Sequence, residues 1–224
     1  MEERLVELAQ KLAASLPPGD LDQTLSRITA AAVEVLPDVS MSSISIQHSD
    51  GKLDTVAPTH DVLCEVDARQ YELREGPCYE AAADAGNIVS TDVANDDRFP
   101  RYRAVAVEAG IRAQVGVRLF DSAKSQGALN LYSDRVGAFE DLGSLADLFR
   151  EQSAMALAYA QEVQTLRDAV TTRQLIGQAV GIVMERYQLN DQRAFAFLAR
   201  LSSTRNVKLR VVAEEVLAEL GRSE

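Results

Sequence analysis

Histidine and cysteine are scarce in this chain of 224 residues, two of each, and the scarcity removes whole classes of chemistry. Cys64 and Cys78 cannot build the disulfide framework of a small secreted domain. His48 stands in the run "HSD", but catalytic groups meet in space and not in sequence, so adjacency there says nothing. No Gly-rich phosphate-cradling loop occurs, and composition and spacing point to no catalytic constellation, no cofactor and no metal cluster. The chain is therefore expected not to be an enzyme. No apolar run approaches the roughly 18 residues of a membrane span. The opening stretch "MEERLVELAQKLAASL" carries charges throughout and is acidic, unlike a leader or a membrane-surface helix. A cytoplasmic protein is the expectation.

Positive charge is also in short supply. Lys and Arg number 23 against 34 Asp and Glu, a net of −11, which argues against a chain coated in nucleic acid, because phosphate contacts need clustered cations. The deficit is uneven. Residues 1–166 hold 14 basic against 27 acidic side chains, whereas residues 167–224 hold nine against seven, so the carboxy-terminal quarter is electrostatically a different object.

What is present divides the same way. Two helical patterns, "EERLVELAQKLAASL" and "LDQTLSRITAAAVEVL", flank the breaker Pro17-Pro18-Gly19. "SSISIQH", "DGKL" and "LDTVAPT" read as strand, turn and strand, and further strands are expected at "NIVSTDV", "AQVGVRLF" and "GALNLYS". Helices are expected between them at "VLCEVDARQYEL", "CYEAAADAG" and "YRAVAVEAG". The sum is an α+β domain, a mostly antiparallel sheet with helices packed on it.

From Phe139 onward strand signals stop. Leu142, Leu145, Phe149, Gln152, Ala156, Tyr159, Val163, Leu166 and Val170 recur at steps of three and four, the spacing of a coiled-coil seam. No proline interrupts the pattern before "RQLIGQAVGIVMER", so a helix of some 45 residues, roughly 65 Å long, is expected. Its first turns should pack on the sheet and the remainder on a second copy. Two shorter helices follow, "DQRAFAFLARLSS" with Asn190 as N-cap and "KLRVVAEEVLAEL", giving a small three-helix bundle. The domains are expected at 1–160 and 161–224.

Four features have both a functional and a plain reading. His60 and Cys64 stand four apart with Asp61 and Glu65 nearby, a conceivable metal site, although an ordinary helix surface is the preferred reading. Cys78 follows Gly76-Pro77 at a helix start, where the dipole would favour a thiolate and a redox or ligand-sensing role; a small buried residue is the preferred reading, cysteine being among the most buried residue types. Gly177 and Gly181 each cost their helix about 1 kcal/mol relative to alanine, which suggests close approach of another helix or of nucleic acid. Basic residues such as Arg200 are usually just solvated.

"LREGPCYEA", "DVANDDRFPRY", "GVRLF" and "GALNLYSDRVGAFEDL" together resemble the GAF sensor domains that precede ANTAR domains in actinobacterial regulators. "RQLIGQAVGIVMERYQLNDQRAFAFLARLSSTRNVKLRVVAEEV" resembles the ANTAR domain itself. The resemblance implies a GAF-like sheet with flanking helices, a long coiled-coil-like helix and an ANTAR bundle. It also implies a signal-responsive antitermination regulator whose partners are RNA stem-loops, a second copy through the long helix, and an unknown small molecule in the GAF domain. The nucleotide-binding signature of cyclic-GMP GAF domains and the chromophore-attachment motif are not recognisable. Carried onto this chain, the RNA-binding candidates are Arg173, Gln178, Gly181, Arg186, Ser203, Arg205, Lys208 and Arg210, with Ser202, Thr204 and Asn206 beside them; Gly181 falls on the family glycine, and Gly177 is expected to ease packing against the last two helices. Where the family usually has Ala-Lys-Gly, this chain has Ala179-Val180-Gly181, so a cation expected near the nucleic acid is missing. A DNA-binding factor and a GAF sensor whose helical tail recruits a protein are the alternatives.

Overall fold

Alternation along extended backbone sends neighbouring side chains to opposite faces, and in the amino-terminal half it gives one sheet two unlike faces. The computed structural model describes residues 10–12, 14–17, 19–83, 86–121, 125–140 and 143–220. Among these, five strands form one antiparallel sheet in the order β2-β1-β5-β4-β3: β1 Met41–His48, β2 Leu53–Val56, β3 Ile88–Ser90, β4 Ala113–Asp121 and β5 Ser125–Ser133. Gly51, at φ +82, closes the β1–β2 turn where the sequence reads Asp-Gly. The predicted third strand is shorter than "NIVSTDV", because Val93–Asn95 forms a 3-10 turn.

One face of the sheet is apolar. Ile44, Val115, Val117, Leu129 and Leu131 lie against helix α1, Leu21–Val35, whose Leu25, Ile28, Ala31 and Ala32 recur at helical steps. Asp20 caps that helix, its carboxylate accepting from the Gln23 N–H at 2.8 Å. Leu12, from the helical stretch before Pro17, joins this core; the part of that predicted helix before residue 10 lies outside the described residues. The opposite face is covered by α2, Val62–Leu73, α3, Pro77–Ala83, and α4, Tyr102–Glu108, with Leu63, Val66, Phe99, Tyr102, Ala106 and Ile111 in a second core. Each large side chain fully buried in these layers contributes about 1.5–3 kcal/mol.

Helix α5, Gly143–Tyr187, runs 45 residues. It starts after Phe139, which sits in the first core and not in the helix. Phe149 and Leu157 bury themselves in that same core, and Ser153 and Ala160 are buried on the same side. Of the seam, Phe149 therefore packs on the protein's own sheet as expected, while Tyr159, Leu166 and Val170 are exposed at 53%, 60% and 67%. Leu142 and the Leu145 side chain lie outside the described residues.

The chain divides into two compact units, Met1–Gln161 and Glu162–Glu224. In the second, the end of α5 packs with α6, Asp191–Arg205, and α7, Leu209–Leu220, around Ala179, Val180, Val183, Ala194, Leu198, Val212 and Ala213. Both turns of this bundle are built alike. Gln188 and Asn206 take left-handed backbone, and the next residue's N–H donates five residues back, Leu189 to Met184 at 3.2 Å and Val207 to Ser202 at 3.1 Å. Leu189 and Val207 then turn into the bundle core.

Candidate nucleic-acid interface and the buried polar cluster

The carboxy-terminal unit holds the sequence-predicted RNA candidates, and its hydrogen bonds sort them. Arg205 forks onto Glu215, with one arm at 2.8 Å. Arg210 donates from Nε to Glu214 at 2.7 Å, and Arg186 reaches Glu219 at 3.2 Å. All three carboxylates belong to α7, four or more residues from their partners, so the basic run that looked cationic in sequence is largely compensated. The Arg205 guanidinium also holds the Glu215 carboxyl below its ordinary range. Among the described residues Arg173 and Lys208 have no ion-pair partner.

Two of the polar candidates have other work. Ser202 donates its hydroxyl to the Val207 carbonyl at 2.6 Å, closing the turn. Asn206 provides the left-handed residue that ends α6, a conformation asparagine tolerates better than most. Ser203 and Thr204 are exposed. Asn190 caps α6 as expected, its side chain accepting from the Arg193 N–H at 2.9 Å.

The glycines require a correction. A Cβ built on Gly177 or Gly181 meets no atom within 4 Å, so neither glycine makes room for a neighbouring helix of this chain, and the expected packing role of Gly177 is not what the bundle uses. Gly181 instead lines an open groove of about 810 Å³ with Gln178, Ile182, Glu185, Arg186 and, across from them, Leu217. Val180, where the family lysine was expected, is 6% exposed and packs inside the bundle. The hydrophobic substitution at this position therefore serves the core of the module.

In the first unit the sheet face beneath α2 and α3 carries a connected polar cluster. Asp67, fully buried on α2, accepts from Ser43 at 2.8 Å, Thr55 at 3.2 Å, Gln70 at 3.2 Å and the Tyr132 hydroxyl. None of these partners is a cation. Burial pushes its carboxyl up to about 6, against hydrogen bonds, Tyr132 first, that favour the ionised form. Gln114 donates to the Cys78 sulfur at 2.6 Å and accepts from Tyr102 at 2.6 Å, and Cys78 and Tyr132 lie 3.1 Å apart. Asn130 donates to Ser43 and Ser45, and Ser45 meets Tyr71 at 2.5 Å.

Cys78 takes the preferred plain reading of a small buried residue. It does stand in the first turn of α3, but it is fully buried and its backbone N–H donates to Gln70 at 3.1 Å. Burial first, and then the nearby Asp67, push its thiol well up, the opposite direction from the one a helix start favours, so desolvation outweighs the short helix end. His60 lies before α2, not on it, and does not share a helical face with Cys64. Among the described residues no cluster of histidine, cysteine and carboxylates could hold a metal, and no helix is long and apolar enough to cross a membrane.

Sequence reading missed Asp67, Gln70, Gln114 and Tyr132. The available signal was polar residues recurring at every second position in otherwise apolar strands, as at Ser43 and Ser45 or Asn130 and Tyr132.

The chain matches the family model of the GAF domain over residues 19–158 and that of the ANTAR domain over residues 164–217. No curated protein sequence matches it. Among solved structures it is similar to an N-acylhomoserine lactone-dependent LuxR-family transcription factor from Burkholderia cenocepacia, at 15% identity and TM-score 0.56, covering 72% of this chain and 99% of that one. Free methionine-R-sulfoxide reductase from Neisseria meningitidis, solved with its substrate, matches at 15% identity and TM-score 0.53 over 70% of this chain and 89% of its own. The GAF domain of a phosphoenolpyruvate-protein phosphotransferase from Coxiella burnetii matches at 15% and TM-score 0.50, over 75% of this chain and 98% of its own. Likeness at such identity is one of fold.

Proposed function

The chain belongs to the GAF domain family and carries an ANTAR domain behind its sensor unit, and from that premise we propose a signal-responsive transcription antitermination regulator that binds paired stem-loops in nascent RNA. The observation that carries the reading is the ANTAR match over residues 164–217, on a unit whose three helices close around a core of their own. The GAF unit takes a small molecule as its signal. The chain acts in the cytoplasm as a homodimer through α5, a pairing supported by the exposed Tyr159, Leu166 and Val170 along one seam. It regulates and does not catalyse.

The test is a mobility-shift titration of the full chain with an RNA of two tandem stem-loops, at several salt concentrations. A complex whose affinity falls steeply with salt is expected. No complex at low ionic strength, or full displacement of the RNA by duplex DNA, overturns the reading. Sedimentation at rising concentration tests the pairing, which a purely monomeric chain overturns.

A further inference from the structure

Resting on the RNA-binding reading, we infer that the RNA is gripped by one stripe of α6, in which Phe197, backed by Tyr187, stacks an unpaired loop base while Arg193 and Arg200 hold the flanking phosphates. Arg193, Phe197, Arg200 and Thr204 follow steps of four, three and four along α6, and all four are exposed. Residues so spaced stand one above another on a single helical face. The other face of the helix, through Ala194 and Leu198, is what the bundle buries.

Phe197 is 38% exposed and Tyr187, at the end of α5, 52% exposed; their ring centroids lie 5.5 Å apart with planes at 42°. A tilted aromatic pair left at the surface offers a base both a face and an edge. Aromatic side chains stack the splayed bases of RNA loops irrespective of sequence.

Charge points the same way. Arg186, Arg205 and Arg210 are committed to α7 carboxylates, whereas Arg193 and Arg200, one turn to either side of Phe197, have no ion-pair partner among the described residues. Two uncompensated cations bracketing an exposed ring match a phosphate–base–phosphate repeat, not an apolar protein surface.

The chain has no tryptophan, which makes Phe197→Trp a reporter at the proposed contact. The full chain carrying this substitution is titrated with the tandem stem-loop RNA, with a loopless duplex of the same stem, and with duplex DNA. Quenching of the introduced indole by the stem-loop RNA alone is expected, and emission unchanged on formation of the complex overturns the stripe. Phe197→Ala should weaken binding about tenfold, and Arg193→Gln and Arg200→Gln should each lower the salt slope by about 0.7 to 0.9. If the unaltered chain binds and these variants, folded by circular dichroism, bind equally well, the stripe is wrong and the antitermination reading stands. If the unaltered chain binds no RNA, both fall. An indole signal that moves with protein concentration without RNA assigns the stripe to a second copy and overturns it.

Discussion

The two units of this protein differ in what they bury: among the described residues the sensor unit encloses a carboxylic acid, whereas the core of the bundle is apolar. The sensor unit buries a carboxyl, Asp67, among hydroxyls and amides with no cation in contact, while the ANTAR unit pairs one arginine from each of its three helices with α7 glutamates in solvent. Exposed pairs contribute little to stability, but a buried group without a countercharge ties folding to its protonation. The lesson is that the sensor has the chemistry of a responsive core and the bundle the chemistry of a surface whose cations are partly committed.

The largest expected effect concerns how the sensor unit holds the long helix. Phe149→Ala removes a fully buried ring from the core beneath the sheet and should cost about 3–5 kcal/mol, seen as a large fall in the denaturation midpoint. Met155, two turns on and 67% exposed, gives the contrast: Met155→Ala should stay within about 0.5 kcal/mol. Equal losses at the two positions would mean that α5 is not anchored by this face.

Asp67 sharpens the comparison between units. Its folded pKa, near 6, lies above the usual 3.8, so the native state holds its proton longer than the unfolded one. Stability from this group is therefore greatest below about pH 4 and is lost as pH rises to about 6, by roughly 3 kcal/mol in all. Asp67→Asn should flatten that part of the profile and be relatively more stable at pH 7.5. Parallel slopes for the two proteins between pH 4 and 6.5 would refute the assignment. Asp54, Glu75, Asp96 and Glu215, all held low, act in the opposite sense in both proteins and cancel in the difference.

What the sequence disclosed follows the same division. Hydrophobic periodicity marked α1, α2, the strands β1, β4 and β5 and the bundle helices, because these elements are fixed by which side of each faces a core. The Asp67 cluster was not legible, because its members come from α2, α3, α4 and four strands and meet only when the sheet forms. The arginines were legible as residues and misleading as charge: Glu214 and Glu215 stand within ten positions of Arg205 and Arg210, yet only α7 geometry turns them onto those guanidinium groups. Phe197 could have been noticed as an apolar residue off the buried face of its own helix.

The two capping side chains form a smaller matched pair, one per unit. Asp20 and Asn190 each accept an N–H from the third residue along, and replacing either by alanine should cost about 1 kcal/mol. If the units unfold separately, Asp20→Ala lowers only the sensor transition and Asn190→Ala only that of the bundle. Both transitions shifting together in either variant would show that the units melt as one.

The smallest effect is also the one that explains the glycines. Both stand on helical backbone with open space where a side chain would go, so Gly177→Ala and Gly181→Ala should each stabilise the bundle by about 0.5–1 kcal/mol. Gly181 lines the groove beside Gln178 and Arg186, and there alanine should raise the melting temperature while weakening RNA binding; at Gly177, outside the groove lining, it should raise the melting temperature alone. If Gly181→Ala gains stability and loses no affinity, the groove is not part of the RNA surface, and the α6 stripe must account for recognition without it.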